Sequence, residues 1–281
     1  MPTAAQAPVR AFDFFALHVL RTRRLSESLL RVTFGGESLT GFASGGRDQS
    51  VSLFLPQPGQ SRPEVPVEEG EGWWQAWREL PDTVRAVMRS YTVREQRREP
   101  DGPGEIDIDF ALHGDGGPAS RWAARALPGD QVLVLGPTAA DNTAVRFRPP
   151  ADTDLVLLYA DETALPAAAA ILGQLPEDTR VHAFLEVEHP GDRLPLTAPA
   201  GAELTWLVRT EGAPPAHEAV RAAELAPADA PYAWIAGESG SIKELRRHLV
   251  RERAIDRRRV TFVGYWRRGL SEEQLREVGE E

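Results

Sequence analysis

One short segment concentrates side chains that suit a charged, aromatic ligand. It reads Arg89-Ser90-Tyr91-Thr92-Val93-Arg94. On an extended strand Arg89, Tyr91 and Val93 lie on one face, and the other three residues lie on the opposite face. Arginine pairs bidentately with phosphate oxygens, and an aromatic ring packs on another planar ring. The segment therefore predicts a strand that binds a flavin dinucleotide, with a hydroxyl or backbone N–H near flavin N5. The alternative is an amphipathic strand with a solvated charged face.

A glycine-rich entry into a helix follows in residues 113–123. Its glycines permit close backbone approach, and Pro118 suits the first turn of a helix. A helix start offers free N–H groups and a positive dipole end to phosphate. The candidate phosphate-binding residues are His113, Gly117, Pro118, Ala119 and Ser120. Such an entry is often just a turn, so its position after the Arg/Tyr strand is what favours a binding role.

The first half of the chain has the strand patterns needed to carry both segments. In residues 105–113 apolar and polar side chains alternate, as on a half-buried strand. The predicted strands are 14–23, 28–34, 50–55, 89–95, 105–113 and 131–135, with a surface loop at 57–72. Short strands separated by turn signals predict a closed antiparallel barrel.

The second half changes to continuous apolar strands that alternate with helices. Strands are predicted at 154–160, 180–187, 204–209, 232–236 and 260–265, and helices at 163–174, 216–225 and 239–253. This alternation predicts a parallel sheet covered on both faces. With the pattern changing at Pro149-Pro150, we expect one domain at 12–148 and another at 149–281. The fold class is therefore α+β, a β-barrel followed by an α/β domain.

Polar and aromatic residues follow three of the predicted parallel strands. Parallel sheets bind ligands at the carboxyl ends of their strands, so these residues predict a nicotinamide site. The candidates are Asp161, Thr163 and Ala164 after the first of these strands, and Gly237 and Glu238 after another. Thr163 equally suits a helix cap. Trp266, at the end of the last strand, is expected close to the flavin or the substrate, and the alternative is that it closes the domain interface. Because no G-x-G-x-x-G fingerprint occurs after the first predicted parallel strand, we expect the nicotinamide to bind weakly or transiently.

Composition excludes several kinds of chemistry. The 281 residues include no cysteine, which excludes disulfides, thiolate metal sites, iron–sulfur clusters and cysteine nucleophiles. The net charge of −10 argues against general nucleic-acid binding. No signal peptide or membrane-spanning run is recognisable. A cytoplasmic protein, expected to be a monomer, fits these features.

Taken together, the motifs resemble the siderophore-interacting proteins. These are FAD-dependent ferric-siderophore reductases with a ferredoxin–NADP reductase-like fold. The resemblance covers roughly residues 14–270. It is carried by four blocks in order: 89–94, 113–123, Asp161 to Pro166, and Ala236-Gly237-Glu238 followed by residues 264–269.

The resemblance implies roles for individual residues. Arg89 would contact the FAD phosphates, Tyr91 would pack on the isoalloxazine, and Thr92 would lie near N5. Arg94 would support the cofactor's polar end or the neighbouring strand. The 113–120 turn would hold the pyrophosphate and adjacent ribose, while Trp122 is expected to be a core residue.

The substrate implied is a ferric siderophore, and NADH or NADPH would be the electron donor. Catecholate complexes are multiply anionic, and a positive rim would attract them. Arginines cluster in residues 246–268, and Arg246, Arg247 and Arg267 are the candidate substrate-binding residues. The alternative is a solvated helix face paired with glutamates. The family often has a lysine in the strand corresponding to Val51-Ser52-Leu53, where this chain has Ser52.

Two other functions fit the same motifs. One is a general flavin reductase whose acceptor is a protein, with the arginines as a docking surface. The other is a non-catalytic siderophore-binding protein, against which the intact flavin motifs argue. Electron transfer to iron needs no protein acid, base or nucleophile, in keeping with the lack of a catalytic triad or metal-ligand spacing in the sequence.

Overall fold

An antiparallel sheet of seven strands forms the first half of the protein. The computed structural model describes residues 11–98, 102–112 and 117–270. The strands are β1 (Phe12–Arg24), β2 (Leu29–Gly35), β3 (Ser50–Leu55), β4 (Val87–Thr92), β5 (Glu95–Arg97), β6 (Glu105–Ala111) and β7 (Gln131–Pro137). Their order is β4-β3-β7-β1-β2-β6-β5. The sheet curls back on itself, since Arg94 N, just beyond β4, donates to Asp107 O on β6 at 2.8 Å.

Two short helices flank this barrel. Helix α1 (Trp73–Glu79) follows a 3₁₀ turn, Val67–Gly72, so the predicted loop at 57–72 contains some helical backbone. Its Trp77 is buried and packs edge-on against Phe54. Helix α2 (Pro118–Ala123) begins at the predicted proline.

The second half is a parallel five-stranded sheet with helices on it. Its strands are β8 (Leu155–Ala160), β9 (Val181–Val187), β10 (Glu203–Val208), β11 (Pro231–Glu238) and β12 (Val260–Trp266), in the order β10-β9-β8-β11-β12. Its helices are α3 (Leu165–Leu172), α4 (Ala216–Ala222) and α5 (Ser239–Arg251). Every residue of β8 is buried, because this central strand has an apolar cluster on each face.

Hydrogen bonds to two aspartates, one from each half, join the two halves. Asp48, before β3, accepts from the indole Nε1 of Trp234 on β11 at 2.9 Å, and also from Phe147 N. In the other direction, Asp192 of the second half accepts from the amide and hydroxyl of Ser28 at 3.0 and 2.8 Å. These carboxylates are buried, so the halves meet through a specific polar interface.

The three predicted helices of the second half are confirmed, but each is shorter than expected, and the predicted strand 89–95 ends at Thr92. Helix α3 starts at Leu165 rather than residue 163, because Thr163 belongs to a turn closed on Asp161 Oδ1. Helix α4 ends at Ala222 and α5 at Arg251. No helix in the described part of the chain is long and apolar enough to cross a membrane.

Candidate functional site

The first four residues of the Arg/Tyr segment lie on β4, and Val93 and Arg94 follow directly after it. Tyr91 is half-buried, and its ring lies 4.4 Å from that of Phe110 on β6. Val93 is 1% exposed, so only its backbone could reach a ligand. Ser90 is exposed and pairs with Ser52 on β3. The position where the family often has a lysine thus lies directly beside this segment.

A cleft of about 800 Å³ opens between β4 and α2. Its charged lining residues are Arg85, Arg89, Arg121, Arg125, Asp82 and Asp130. Trp77 and Trp122 add aromatic surface, and the Arg85 guanidinium lies 5.3 Å from the Trp77 ring centroid. Four arginines against two aspartates make the cleft positive, and its size suits a nucleotide. The residues present therefore fit the diphosphate and adenine parts of a dinucleotide.

Helix α2 borders this cleft with its first turn. Gly117 is its N-cap residue and supplies no side-chain hydrogen bond, and Pro118 is in the first turn. Ala119 is buried, whereas Ser120 is half-exposed. Trp122 stacks on Phe34 at 6.3 Å and packs with the barrel core, in agreement with the core role expected for it. His113 lies outside the described residues.

The two arginines of the segment line different cavities. Arg89 lines the cleft beside α2, whereas Arg94 lines an interdomain cavity of about 280 Å³. Arg31 and Asp109, which pair bidentately at 2.6 and 2.8 Å, line the second cavity with Arg94. Burial lowers the pKa of Arg94. This placement supports a role for Arg94 beside the strand rather than on the same phosphates as Arg89.

Asp161 forms a junction at the carboxyl edge of the parallel sheet. It is 2% exposed, and its Oδ1 accepts from Thr163 N, Thr163 Oγ1 and Ala164 N at 3.0, 2.6 and 3.2 Å. Its Oδ2 accepts from Glu238 N at 2.9 Å and from Trp266 Nε1 at 2.8 Å. Burial, and then the neighbouring charge of Glu162, raises the pKa of Asp161 to about 6. Protein donors thus surround a carboxylate predicted to face the cofactor.

The turn after β11 is shaped by the same junction. Gly237 has φ +146°, and a Cβ there would lie 2.5 Å from Asp161 Oδ2, so the position requires glycine. Glu238 caps α5 by accepting from Ser241 N at 2.9 Å. Its carboxylate therefore occupies the helix start.

The end of β12 brings aromatic residues to both halves of the protein. Burial raises the pKa of Tyr265, and the nearby Thr92 side chain acts in the opposite direction. Trp266 is half-buried, with its indole on Asp161 and its carbonyl accepting from Ser239 Oγ at 3.0 Å. The proximity of Thr92 to Tyr265 brings β4 to the carboxyl edge.

An arginine-centred network at this edge was not predicted. Arg209, just after β10, donates to Glu162, Glu186 and Glu188 at 2.6, 2.9 and 2.7 Å. The three carboxylates raise the pKa of Arg209. The sequence signal was an arginine at the end of a predicted strand, but its partners lie on or after two other strands.

The arginines predicted to form one basic rim lie at different places on the second half. Arg246 lies over Phe262 at 4.5 Å, and Phe262 precedes Trp266 by four residues, or about 13 Å of strand. Arg247 is exposed on the same helix. Arg259 binds Asp152 and the carbonyl of Pro231, at the amino ends of the strands. Of the three candidate substrate residues, only Arg267 lies at the carboxyl edge, because α5 runs away from it.

Comparison with known proteins accounts for both halves. Residues 18–141 match the model of the siderophore-interacting FAD-binding domain, and residues 153–269 match that of the siderophore-interacting protein. A ferric vibriobactin reductase, ViuB, from Vibrio cholerae is 32% identical over 93% of this chain and 92% of its own length. The NADPH-dependent ferric-chelate reductase of Escherichia coli is 34% identical over 90% and 92%.

A solved structure shows the same architecture. The siderophore-interacting protein SipS from Aeromonas hydrophila superposes with a TM-score of 0.77 and 34% identity, covering 96% of this chain and 97% of the other. The predicted fold of a β-barrel plus parallel sheet is confirmed. The chain belongs to the siderophore-interacting protein family and carries that family's FAD-binding domain.

Proposed function

We propose that this protein is a cytoplasmic, monomeric ferric-siderophore reductase. It would oxidise NADH or NADPH and reduce siderophore-bound iron, so that one NAD(P)H and two Fe(III) yield NAD(P)⁺, one proton and two Fe(II). Residues 12–148 would form the FAD-binding unit and residues 149–281 the nicotinamide-binding unit. The names of the Vibrio and Escherichia relatives, both ferric reductases, support this assignment.

The observation that carries the proposal is the contact between β4 and β12. Thr92 belongs to the strand with the flavin motif, and Tyr265 belongs to the carboxyl edge of the parallel sheet. The interaction of their side chains supports placing the FAD segment next to the edge where a nicotinamide is expected. Two ligands bound at these places would be neighbours, as electron transfer between them requires.

The cleft beside α2 would hold FAD. Arg89, Arg121 and Arg125 line it and would pair with the diphosphate, as arginine does in bidentate geometry. The first turn of α2, Gly117 to Ser120, would add backbone N–H donors and the Ser120 hydroxyl. Ser90, Tyr91 and Thr92 would contact the ring end of the cofactor. Bound FAD would supply the conversion between a two-electron donor and a one-electron acceptor.

The donor side would be formed by the ends of β8, β11 and β12. Thr163 and Ala164 belong to the loop after β8. Because the Ala164 side chain is fully buried, its backbone would make the contact with the nicotinamide. Gly237, near the end of β11, leaves room for the Asp161 carboxylate. Trp266 would cover a planar ring, and Glu238 would shape the pocket while capping α5.

Arg267 would bind the anionic iron complex. It follows Trp266 directly at the carboxyl edge, where Arg268 is exposed beside it. A guanidinium there would raise the local concentration of a negatively charged siderophore. Fe(II) binds hard oxygen ligands more weakly than Fe(III) does, so reduction would release the iron from the siderophore. The protein would not need to coordinate the metal.

The test is a stoichiometric assay with the FAD-loaded protein. NADH or NADPH is mixed with a ferric siderophore, and Fe(II) is trapped with a coloured chelator. We expect Fe(II) to form with two ions per nicotinamide oxidised. Reduction of protein acceptors with no Fe(II) from a panel of ferric siderophores would favour the electron-transfer alternative. A colourless protein that cannot be loaded with FAD would overturn both assignments.

A further inference from the structure

Asp161 connects the ends of three adjacent strands through one carboxylate. Its Oδ1 holds the loop after β8, through three donors on Thr163 and Ala164. Its Oδ2 reaches across the sheet to Glu238 N on β11 and to Trp266 Nε1 on β12. The two oxygens thus have separate tasks, one local and one long-range.

The contacts of Oδ2 across the sheet depend on a glycine, which has no side chain, at position 237. Gly237 lies on β11 between Asp161 and β12, and a Cβ on it would lie 2.5 Å from Oδ2 and 2.7 Å from Cγ of Asp161. Such distances are too short for ordinary packing. Asp161 reaches Trp266 only because position 237 is glycine, so the two positions act as one unit.

Trp266 is fixed at two points, which makes it a rigid surface. Its indole N–H is held by Asp161, and its carbonyl by the Ser239 hydroxyl. A Cβ on Gly264 would lie 2.5 Å from the same Ser239 hydroxyl, so this second contact is also close-packed. The ring remains half-exposed, and it lies next to Tyr265, which is close to Thr92 of the flavin strand. An aromatic surface held in this way is preorganised for a planar ligand.

We propose that Asp161 is a positioning residue that fixes the indole of Trp266 as a wall of the nicotinamide pocket. It acts on electron donation through Trp266 and does not itself touch the nicotinamide. This inference rests on the proposed function, because it takes the carboxyl edge as the donor site. It replaces the direct cofactor contact predicted for Asp161, whose oxygens are already surrounded by protein donors.

The test is a double-mutant cycle with Asp161→Asn, Trp266→Phe and the double variant. FAD-loaded protein is mixed with NADH or NADPH alone, and the loss of flavin absorbance gives the second-order rate constant. Each single variant should lower this constant about tenfold, because the donor loses its fixed orientation. The double variant should be no slower than Trp266→Phe. A ¹⁵N-tryptophan spectrum supplies a second readout: the indole N–H resonance absent from Trp266→Phe should shift in Asp161→Asn.

Asp154→Asn is the matched control. Asp154 lies at the opposite end of β8 and accepts from Asp229 N and Ala230 N at 2.7 and 3.0 Å, so it connects β8 to the start of β11 away from the site. This variant should leave the rate constant and the Trp266 resonance unchanged.

Three results would overturn the inference. These are an unshifted Trp266 resonance in Asp161→Asn, multiplying effects in the double variant, or an unchanged rate in Trp266→Phe. An unchanged rate in Trp266→Phe refutes the inference even if Asp161→Asn does not fold. If the expected pattern holds but no ferric siderophore is reduced, the proposed function fails and the positioning role stands.

Discussion

Arg89→Ala should weaken FAD binding without unfolding the protein. Arg89 is one of four arginines lining the cleft beside α2, and its Nη1 already donates to Met88 O at 2.8 Å. Its strand neighbours Val87 and Tyr91 pack against the barrel core. Removing the guanidinium therefore removes charge from the cleft and leaves the apolar contacts of β4 in place.

The magnitude follows from the loss of a charge-assisted hydrogen bond. Such a bond contributes about 1.5–3 kcal/mol, so the Kd for FAD should rise roughly 10- to 100-fold. The assay is titration of the flavin-free protein with FAD, followed by quenching of flavin fluorescence. Circular dichroism on the same samples reports whether the fold is intact.

Arg21→Ala is the control for this measurement. Arg21 is exposed on β1 and pairs with Glu105 at 2.5 Å, away from the cleft, so its loss should leave the Kd unchanged. An unchanged Kd for Arg89→Ala would refute the reasoning. So would an equal weakening in both variants, since that would indicate a general effect of charge.

Three further predictions follow from the carboxyl edge. Gly237→Ala should lower the free energy of unfolding by about 1–3 kcal/mol, because its Cβ would overlap the Asp161 carboxylate; chemical denaturation measures this, and an unchanged midpoint would contradict it. A pKa of about 6 for Asp161 exceeds its unfolded value, so its contribution to stability is present at low pH and lost as pH rises through about 6. Between pH 5 and 7, wild type should therefore lose about 1 kcal/mol relative to Asp161→Asn, and parallel stability curves would argue against the raised pKa. Arg267→Ala should raise the KM for an anionic ferric siderophore whereas Arg247→Ala should not, and equal effects in steady-state assays would restore the basic rim.

Local patterns in the sequence were sufficient to predict the elements. The apolar run of β8 reflects burial that the strand's own residues encode. The register of Arg89, Tyr91 and Val93 could be predicted for the same reason. The alternation in β6 predicted a strand but not its burial, because Asp107 and Asp109 are also buried, paired with arginines. Helix α1, of seven residues, was not predicted.

Contacts between distant residues could not be predicted in this way. The Asp161–Trp266 bond joins residues 105 apart, and the Asp48–Trp234 bond joins residues 186 apart. Both depend on which strands become neighbours. The positions of the arginines could not be predicted for a related reason. A run of arginines in the sequence does not indicate that α5 carries part of it down the sheet, away from the carboxyl edge.

The hydrogen bonds of Asp48 and Asp192 between the halves affect how the chain can be divided. A fragment ending near residue 148 would leave Asp48 without the indole of Trp234, and it would leave Ser28 without Asp192. The complementary fragment would expose the same groups from the other side. Each fragment would therefore contain polar groups, buried in the intact chain, that have lost their hydrogen-bond partners. Heating should therefore melt the intact chain in a single cooperative transition, and neither fragment should match its stability.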